Sequence, residues 1–312
     1  MNKNDKSRPL HKSREVDPKN IKEYVVKEPA ELLTFLLEKM PELSRNNVKR
    51  LLANHQVAVD GAPITQFNFQ LAKEDIVIVS KNRITMKKRE NLPIIYEDDE
   101  FIAINKPSGL LSVASDKIKG RTAYRMLMDY VQQKDKHNRI YVVHRIDEDT
   151  SGVMMVAKNS EIRDALQKDW ATIVTSRGYY AIVEGKMEKK EDTLHHYLAE
   201  NALNLMYVTP NKKLGKECIT RYKVVSESLD YSLLDVHIAS GRKNQIRVQL
   251  GYIGHYVIGD DKYGEPADPL KRLGLHAYEL TFIHPIKKKE YKFTAPLPEE
   301  FKKIFFKNKV KK

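Results

Sequence analysis

The 312-residue sequence has a single cysteine, Cys218, so no disulfide can close within the chain. It has no CxxC pair and no Cys/His ligand spacing, which removes the usual basis for a structural zinc site. No apolar stretch approaches the length of a membrane span, and residues 1–20 are polar where a secretory leader would carry an apolar segment. These absences give the expectation of a soluble, cytoplasmic protein with no membrane contact. No internal repeat is found. Acidic residues are also short: 55 Lys and Arg stand against 42 Asp and Glu, a formal charge of +13. Such an excess draws polyanions from a distance and favours nucleic acid as the partner. Hydrophobic residues make up 41%, enough for a genuine core.

The chain changes character several times. Residues 1–20 carry Lys3, Lys6, Arg8, Lys12, Arg14 and Lys19 with almost no large apolar side chains, and read as a flexible basic arm. From Ala30 to Met40, Leu32, Leu33, Leu36, Leu37 and Met40 recur at helical spacing until Pro41 ends the pattern. Ser44 is placed to cap a second helix, Arg45 to Asn54, with Val48, Leu51 and Leu52 inward. Arg45 and Lys49, four apart, share its outer face. Val57 to Val59, the tight-turn pair Asp60-Gly61, and Ile76 to Val79 then predict short strands, making a compact module over 21–80.

Residues 81–91, with Lys81, Arg83, Lys87, Lys88 and Arg89, read as a linker. Over 92–298 the chain becomes a series of short strands: 101–105, 141–143, 153–157, 179–183, 219–225, 233–238 and 278–282. Helical stretches at 161–170 and 244–253 interrupt them. The alternation is too irregular for a doubly wound fold and predicts an α+β domain on a largely antiparallel mixed sheet. Residues 299–312, rich in lysine, read as a basic tail or helix end.

Two clusters carry chemistry. The first, His144-Arg145-Ile146-Asp147-Glu148-Asp149-Thr150-Ser151-Gly152, lies between two apolar strands, where a loop can aim side chains into a cleft. A hydrated turn is the plain alternative for three consecutive acids. The second, Ser240-Gly241-Arg242-Lys243-Asn244-Gln245-Ile246-Arg247, opens a helix. Gly241 is expected to supply an unusual backbone angle there, and N–H groups at a helix start can meet phosphate. A solvated basic helix is the plain alternative.

Six ordered groups of residues together resemble the RluA family of pseudouridine synthases. They are Ile95-Tyr96-Glu97-Asp98 with Asn105-Lys106-Pro107-Ser108-Gly109; the cluster from His144 to Gly152; Tyr179-Tyr180-Ala181-Ile182-Val183-Glu184-Gly185; Gly241-Arg242 with Gln245-Ile246-Arg247; Gly254-His255 with Gly259-Asp260 and Tyr263-Gly264; and Leu275-His276-Ala277 with His284-Pro285. The N-terminal module, through Ser44-Arg45, Val57-Ala58-Val59-Asp60-Gly61 and Asp75-Ile76-Val77, resembles the S4 RNA-binding domain.

The resemblance implies a pseudouridine synthase fold with a small S4-like domain, acting without cofactor or metal on structured RNA. Ribosomal RNA is the implied class and transfer RNA the alternative, with a monomer as the default. Asp147 matches the catalytic aspartate, as nucleophile or as base toward the sugar C2′ proton, and Arg247 the arginine that pairs with it. Tyr179 matches the tyrosine that packs on the uracil and assists loss of the C5 proton, whereas Tyr180 should face the other side of the strand. Arg145 matches the arginine that fills the RNA stack once the target base has left it.

His144, Arg242, Gln245 and Leu275 complete the implied substrate-facing set, His144 chiefly as a loop anchor and Leu275 as an apolar contact or as core. Arg45 and Lys49 are the implied RNA contacts of the N-terminal module. Two positions depart from the family: Asn244 stands for a histidine and Arg177 for a lysine. Two rivals remain at this level. One is a magnesium nuclease using Asp147, Glu148 and Asp149; the other is a noncatalytic RNA-binding or ribosome-assembly protein on the same scaffold.

Overall fold

A computed structural model describes residues 21–59, 61–84, 92–114, 121–264 and 267–305. The chain divides into two compact units, residues 1–90 and 91–312. The expected basic arm, residues 85–91 of the expected linker, and the end of the tail from 306 onward lie outside the described residues.

The first unit runs β1 (Ile21–Val25), β2 (Ala30–Glu31), α1 (Leu32–Lys39), α2 (Arg45–Ala53), β3 (Val57–Val59), β4 (Ala62–Pro63), β5 (Gln70–Leu71) and β6 (Ile76–Ser80). Its main sheet has the order β1-β6-β3-β4, and β2 pairs with β5. The first helix starts two residues later than its apolar spacing predicts, because Ala30 and Glu31 are held as a strand against Leu71 and Gln70. Its first N–H groups have no side-chain cap; Leu32 and Leu33 donate instead to the carbonyls of Phe69 and Phe67. Ser44 caps α2 as expected, its hydroxyl accepting from the Asn47 N–H at 3.3 Å. Leu32, Leu33, Leu36 and Met40 meet Val48, Leu52, Val57 and Val77 in the core. Gly61 takes the left-handed φ of 78° that the β3–β4 turn needs; Asp60 lies outside the described residues. The expected linker starts later than 81: the Gln56 amide donates to Lys81 O and Ile84 N to His55 O, each at 2.7 Å.

The second unit runs β7 (Ile94–Glu97), β8 (Phe101–Lys106), α3 (Ala123–Lys134), β9 (Tyr141–Val142), β10 (Ser151–Ala157), α4 (Ser160–Lys168), α5 (Trp170–Ile173), β11 (Val174–Glu184), β12 (Glu191–Glu200), β13 (Met206–Thr209), β14 (Lys216–Glu227), β15 (Tyr231–Ile238), α6 (Gln245–Tyr252), β16 (Leu275–Ile283), β17 (Glu290–Thr294) and α7 (Glu299–Phe305). One sheet of 11 strands spans it in the order β13-β12-β14-β15-β11-β16-β10-β8-β7, with β17 on β16 and β9 on β10. Among the described pairings of this sheet all are antiparallel except β10 with β16.

Strand β10 is buried at all seven residues, which explains the apolar run from Val153 to Ala157. Val153, Met155 and Ala157 join Phe101 and Phe282 on one side, while Met154 and Val156 join Ile104, Leu127 and Val131 on the other. The C-terminal segment is not a tail over 299–305. It is a helix whose Phe301 is fully buried against Ile182, Leu233 and Ile258, so one apolar side chain outweighs the lysines that give the segment its solvated look.

Candidate active site

Across the middle of the sheet one row of paired residues runs Lys106, Gly152, Ala277, Tyr179, Val236. The loop 144–150 leads into this row at Gly152, the second of the two residues through which β10 pairs in parallel with β16. A glycine is required there: its φ is 115°, and a Cβ would stand 2.0 Å from the Ala277 carbonyl oxygen.

The backbone of the loop is tied down carbonyl by carbonyl. Ile146 O accepts from Ser112 Oγ at 2.5 Å, and Asp149 O from Ser108 Oγ at 2.6 Å. Glu148 O accepts from Lys106 Nζ at 2.8 Å and from Gly109 N at 3.0 Å. Ile146 drops into the core beside Leu127 and Ala277. Asp147 is thereby held half-buried, between exposed Arg145 and exposed Glu148.

Lys106 is fully buried, and its ammonium also donates to Pro107 O at 3.0 Å and Leu110 O at 2.6 Å, so all three protons are used. Burial pulls its pKa down to about 8, against the upward pull of Asp149, Asp147 and Glu148. In the sequence this lysine stands out only as part of a motif. The available signal was a cation ending the apolar strand Phe101–Lys106, next to Pro107, in a chain with a triple acid further on.

His144 anchors the other end of the loop. Its Nε2 accepts from the Met155 N–H at 3.1 Å, which leaves the proton on Nδ1, and its ring stacks on Trp170 at 5.3 Å. Burial, aided by Arg177, pulls its pKa down to about 4, so it is neutral at physiological pH.

Tyr179 packs against the clusters containing Ala277 and Val236, and Tyr180 against the one containing Phe301, so the two tyrosines face opposite sides of β11 as the alternation predicts. Burial pushes the Tyr179 phenol up to about 12; Arg177 opposes this and Asp147 adds to it. A phenol so held is protonated at neutral pH, which favours packing on a base over acting as a phenolate. Leu275 is buried in the cluster Tyr179 packs on and is wall rather than free contact surface.

The pairing expected between Arg247 and Asp147 is redirected. Among the described residues Arg247 Nε and Nη2 donate to Asp260 Oδ2 and Oδ1 at 2.7 and 2.6 Å, a two-pronged ion pair almost wholly buried. Asp260 also accepts from the N–H groups of Lys262 and Tyr263, each at 3.0 Å, so it is the anchor for the guanidinium. Burial alone would lower the Arg247 pKa; Asp260, then Asp147 and Asp149, raise it instead. Asp147 therefore acts on Arg247 through space, and the fork geometry belongs to Asp260.

Gln245 is also corrected. Its Oε1 accepts from Ser240 Oγ and Arg242 N, and its Nε2 donates to Ile219 O and Thr220 Oγ1. Every hydrogen-bonding position is occupied inside the protein at 3% exposure, so it braces the loop before α6 rather than meeting substrate. Arg242 is exposed and donates through Nε to Glu217 O.

The left-handed residue of this loop is Asn244, with φ 52°, not Gly241. Asparagine tolerates that conformation well, and its amide donates to Tyr263 OH at 2.8 Å. Gly241 instead lies under the end of the Arg177 side chain, where a Cβ would stand 2.7 Å from Nη1 and the flexible guanidinium would have to shift. Arg177 Nη2 donates to Ala239 O at 2.9 Å, so both family departures meet on the 239–244 loop. Asp147, Glu148 and Asp149 do not converge on a metal: among the described residues no three His, Cys, Asp or Glu side chains are grouped to hold one.

The sheet thus carries a tethered acidic loop within electrostatic reach of a buried arginine. Residues 100–252 match the family described as RNA pseudouridylate synthase. An uncharacterized RNA pseudouridine synthase of Aquifex aeolicus (strain VF5) is 31% identical over 87% of this chain and 91% of its own length. The ribosomal large subunit pseudouridine synthase D of Haemophilus influenzae is 32% identical over 85% of this chain and 87% of its own length. The solved human RNA pseudouridylate synthase domain containing 4 superposes with a TM-score of 0.56 at 22% identity, covering 67% of this chain and 90% of that one, which shows the fold. The chain belongs to the RluA-type RNA pseudouridine synthases and is an enzyme of that family.

Proposed function

We propose that this enzyme isomerises uridines in structured ribosomal RNA, with Asp147 acting on the sugar or base of a nucleotide turned out of the stack. The observation that carries the reading is the tethered loop, which holds one half-buried carboxylate within electrostatic reach of Arg247 and Tyr179. The reaction cleaves N1–C1′ and joins C5 to C1′ with no redox change and no imported group, so a carboxylate, a packing ring and a cation are sufficient. Tyr179, neutral, supports the uracil face. Arg145, exposed and adjacent to Asp147, occupies the gap left by the everted base and stacks on its neighbours.

The choice of ribosomal over transfer RNA is supported by relatives named for the large ribosomal subunit, from Haemophilus influenzae and, at 29% identity, Vibrio vulnificus. The first unit, read as an S4-like module, binds RNA through exposed Arg45 and Lys49 on α2. The enzyme works in the cytoplasm as a monomer. Tritium release from RNA labelled at uridine C5 tests the central claim: Asp147→Asn should slow release about a thousandfold while still binding RNA. Release at the unaltered rate would reject Asp147. Pseudouridine mapping in cells with and without the protein identifies the RNA, and a lost site in transfer RNA alone would overturn the ribosomal assignment.

A further inference from the structure

The loop between β4 and β5 carries two phenylalanines with opposite fates. Phe69 packs against the core of the first unit, whereas Phe67 remains 45% exposed. The backbone of Phe67 is tied down, its carbonyl accepting from the Leu33 N–H at 3.0 Å at the start of α1. Lys49 Nζ stands 4.7 Å from its ring centroid. Arg45 lies one helical turn earlier on the same face, and α2 has Arg45, Lys49 and Arg50 but no acidic residue. A part-exposed aromatic ring with one lysine over a face and further cations on the same helix is a pairing that single-stranded nucleic acid uses: the ring's remaining face takes a base and the cations take the phosphates on either side.

We propose that Phe67, with Lys49 beside it and Arg45 behind, is a stacking platform for one unpaired base of the RNA substrate, outside the catalytic centre. The proposal rests on reading the first unit as RNA-binding and adds what it recognises there: an unstacked nucleotide rather than duplex backbone alone. Every nucleobase has a stacking face, so the platform selects for an accessible base and not for its identity.

The test is fluorescence anisotropy of the full chain with a labelled stem–loop RNA containing an unpaired loop, beside a fully paired RNA of equal length. Phe67→Leu should weaken the stem–loop complex roughly tenfold without changing the duplex complex or the salt slope, and Phe67→Tyr should bind as the unaltered chain does. Arg45→Ala and Lys49→Ala should weaken both RNAs and each lower the salt slope by about 1. If Phe67→Leu leaves the stem–loop complex unchanged while Arg45→Ala weakens it, the platform is wrong and the RNA-binding reading stands. Equal weakening by Phe67→Leu and Phe67→Tyr, or equal weakening of both RNAs by Phe67→Leu, also overturns the platform. If none of the substitutions alters binding, the reading of the first unit fails with it.

Discussion

Three aspartates stand in the field of Arg247, and the surroundings of two of them, Asp260 and Asp147, divide the labour between that pair. Asp260 is 1% exposed, and its carboxylate takes two guanidinium N–H groups and two backbone N–H groups. Four donors and near-complete burial leave it little capacity to meet a substrate. Asp147 is half-buried and meets Arg247 only through space, which keeps its oxygens available. Substitutions should therefore separate stability from rate. Asp260→Asn withdraws the charge opposite a buried guanidinium, so it should destabilise the fold by about 3 kcal/mol and reduce turnover as the arginine loses its direction. Asp147→Asn should leave the thermal midpoint nearly unchanged while removing turnover. Thermal unfolding beside tritium release distinguishes the two, and an Asp260→Asn protein as stable and active as the parent would show that the anchor is not needed.

Strand β11 shows how an element aims a side chain. Its pairing with β16 slips between Val174 and Ser176 and again between Gly178 and Tyr179, and such bulges redirect the residue beside them. The second slip is packed from behind: a Cβ on Gly178 would stand 2.7 Å from the Tyr278 ring. Tyr278 stacks on Tyr180 at 4.3 Å and donates to Asp235 at 3.0 Å. Tyr180 is thus part of the support behind Tyr179, not an inert neighbour. Gly178→Ala should displace the ring and lower kcat with little change in KM. In combination with Tyr278→Ala the clash disappears, so the double variant should be better than additive by about 1 kcal/mol; strict additivity would refute the coupling. The opposite facing of the two tyrosines was legible because alternation is local, but the bulges depend on the partner strand's count and were not. Helix α7 was half legible for a similar reason: its local lysines fitted a tail or a helix end alike, and the pocket that takes Phe301 is built from distant Ile182, Leu233 and Ile258.

At the scale of the molecule, residues contiguous in the chain were readable and residues joined by topology were not. His144 to Gly152 announced itself in sequence, whereas its supports come from three places: Lys106 on β8, Ser112 beyond it, and His276 on β16. Only the folded sheet sets these around one loop. That arrangement also makes the loop sensitive to acid. His144 accepts from Met155 N at its entry; at its exit Ser151 takes a hydrogen bond from Arg272 Nη2 and shares another with His276 Nδ1 at 2.8 Å. Burial is the main cause that pulls both histidines from 6.5 down to about 4.

Between those values the unfolded chain binds protons that the folded one excludes. The stability these groups contribute is complete above pH 6.5 and is lost as pH falls toward 4. His196 and His284 shift in the same direction, whereas His237, raised first by its bond to Asp235, works in the opposite sense from a half-exposed pair worth less. The carboxylates held low by their partners, Glu97 and Asp98 among them, add to the loss in the same sense toward the acid end of this range. Urea unfolding should therefore show stability falling as pH drops from 6.5 toward 4, by up to about 3 kcal/mol for each of the two loop histidines. His276→Gln, uncharged at every pH, should flatten that slope even if it lowers the plateau. A slope that is absent in the parent, or unchanged in His276→Gln, would mean that the loop is not held by neutral histidines.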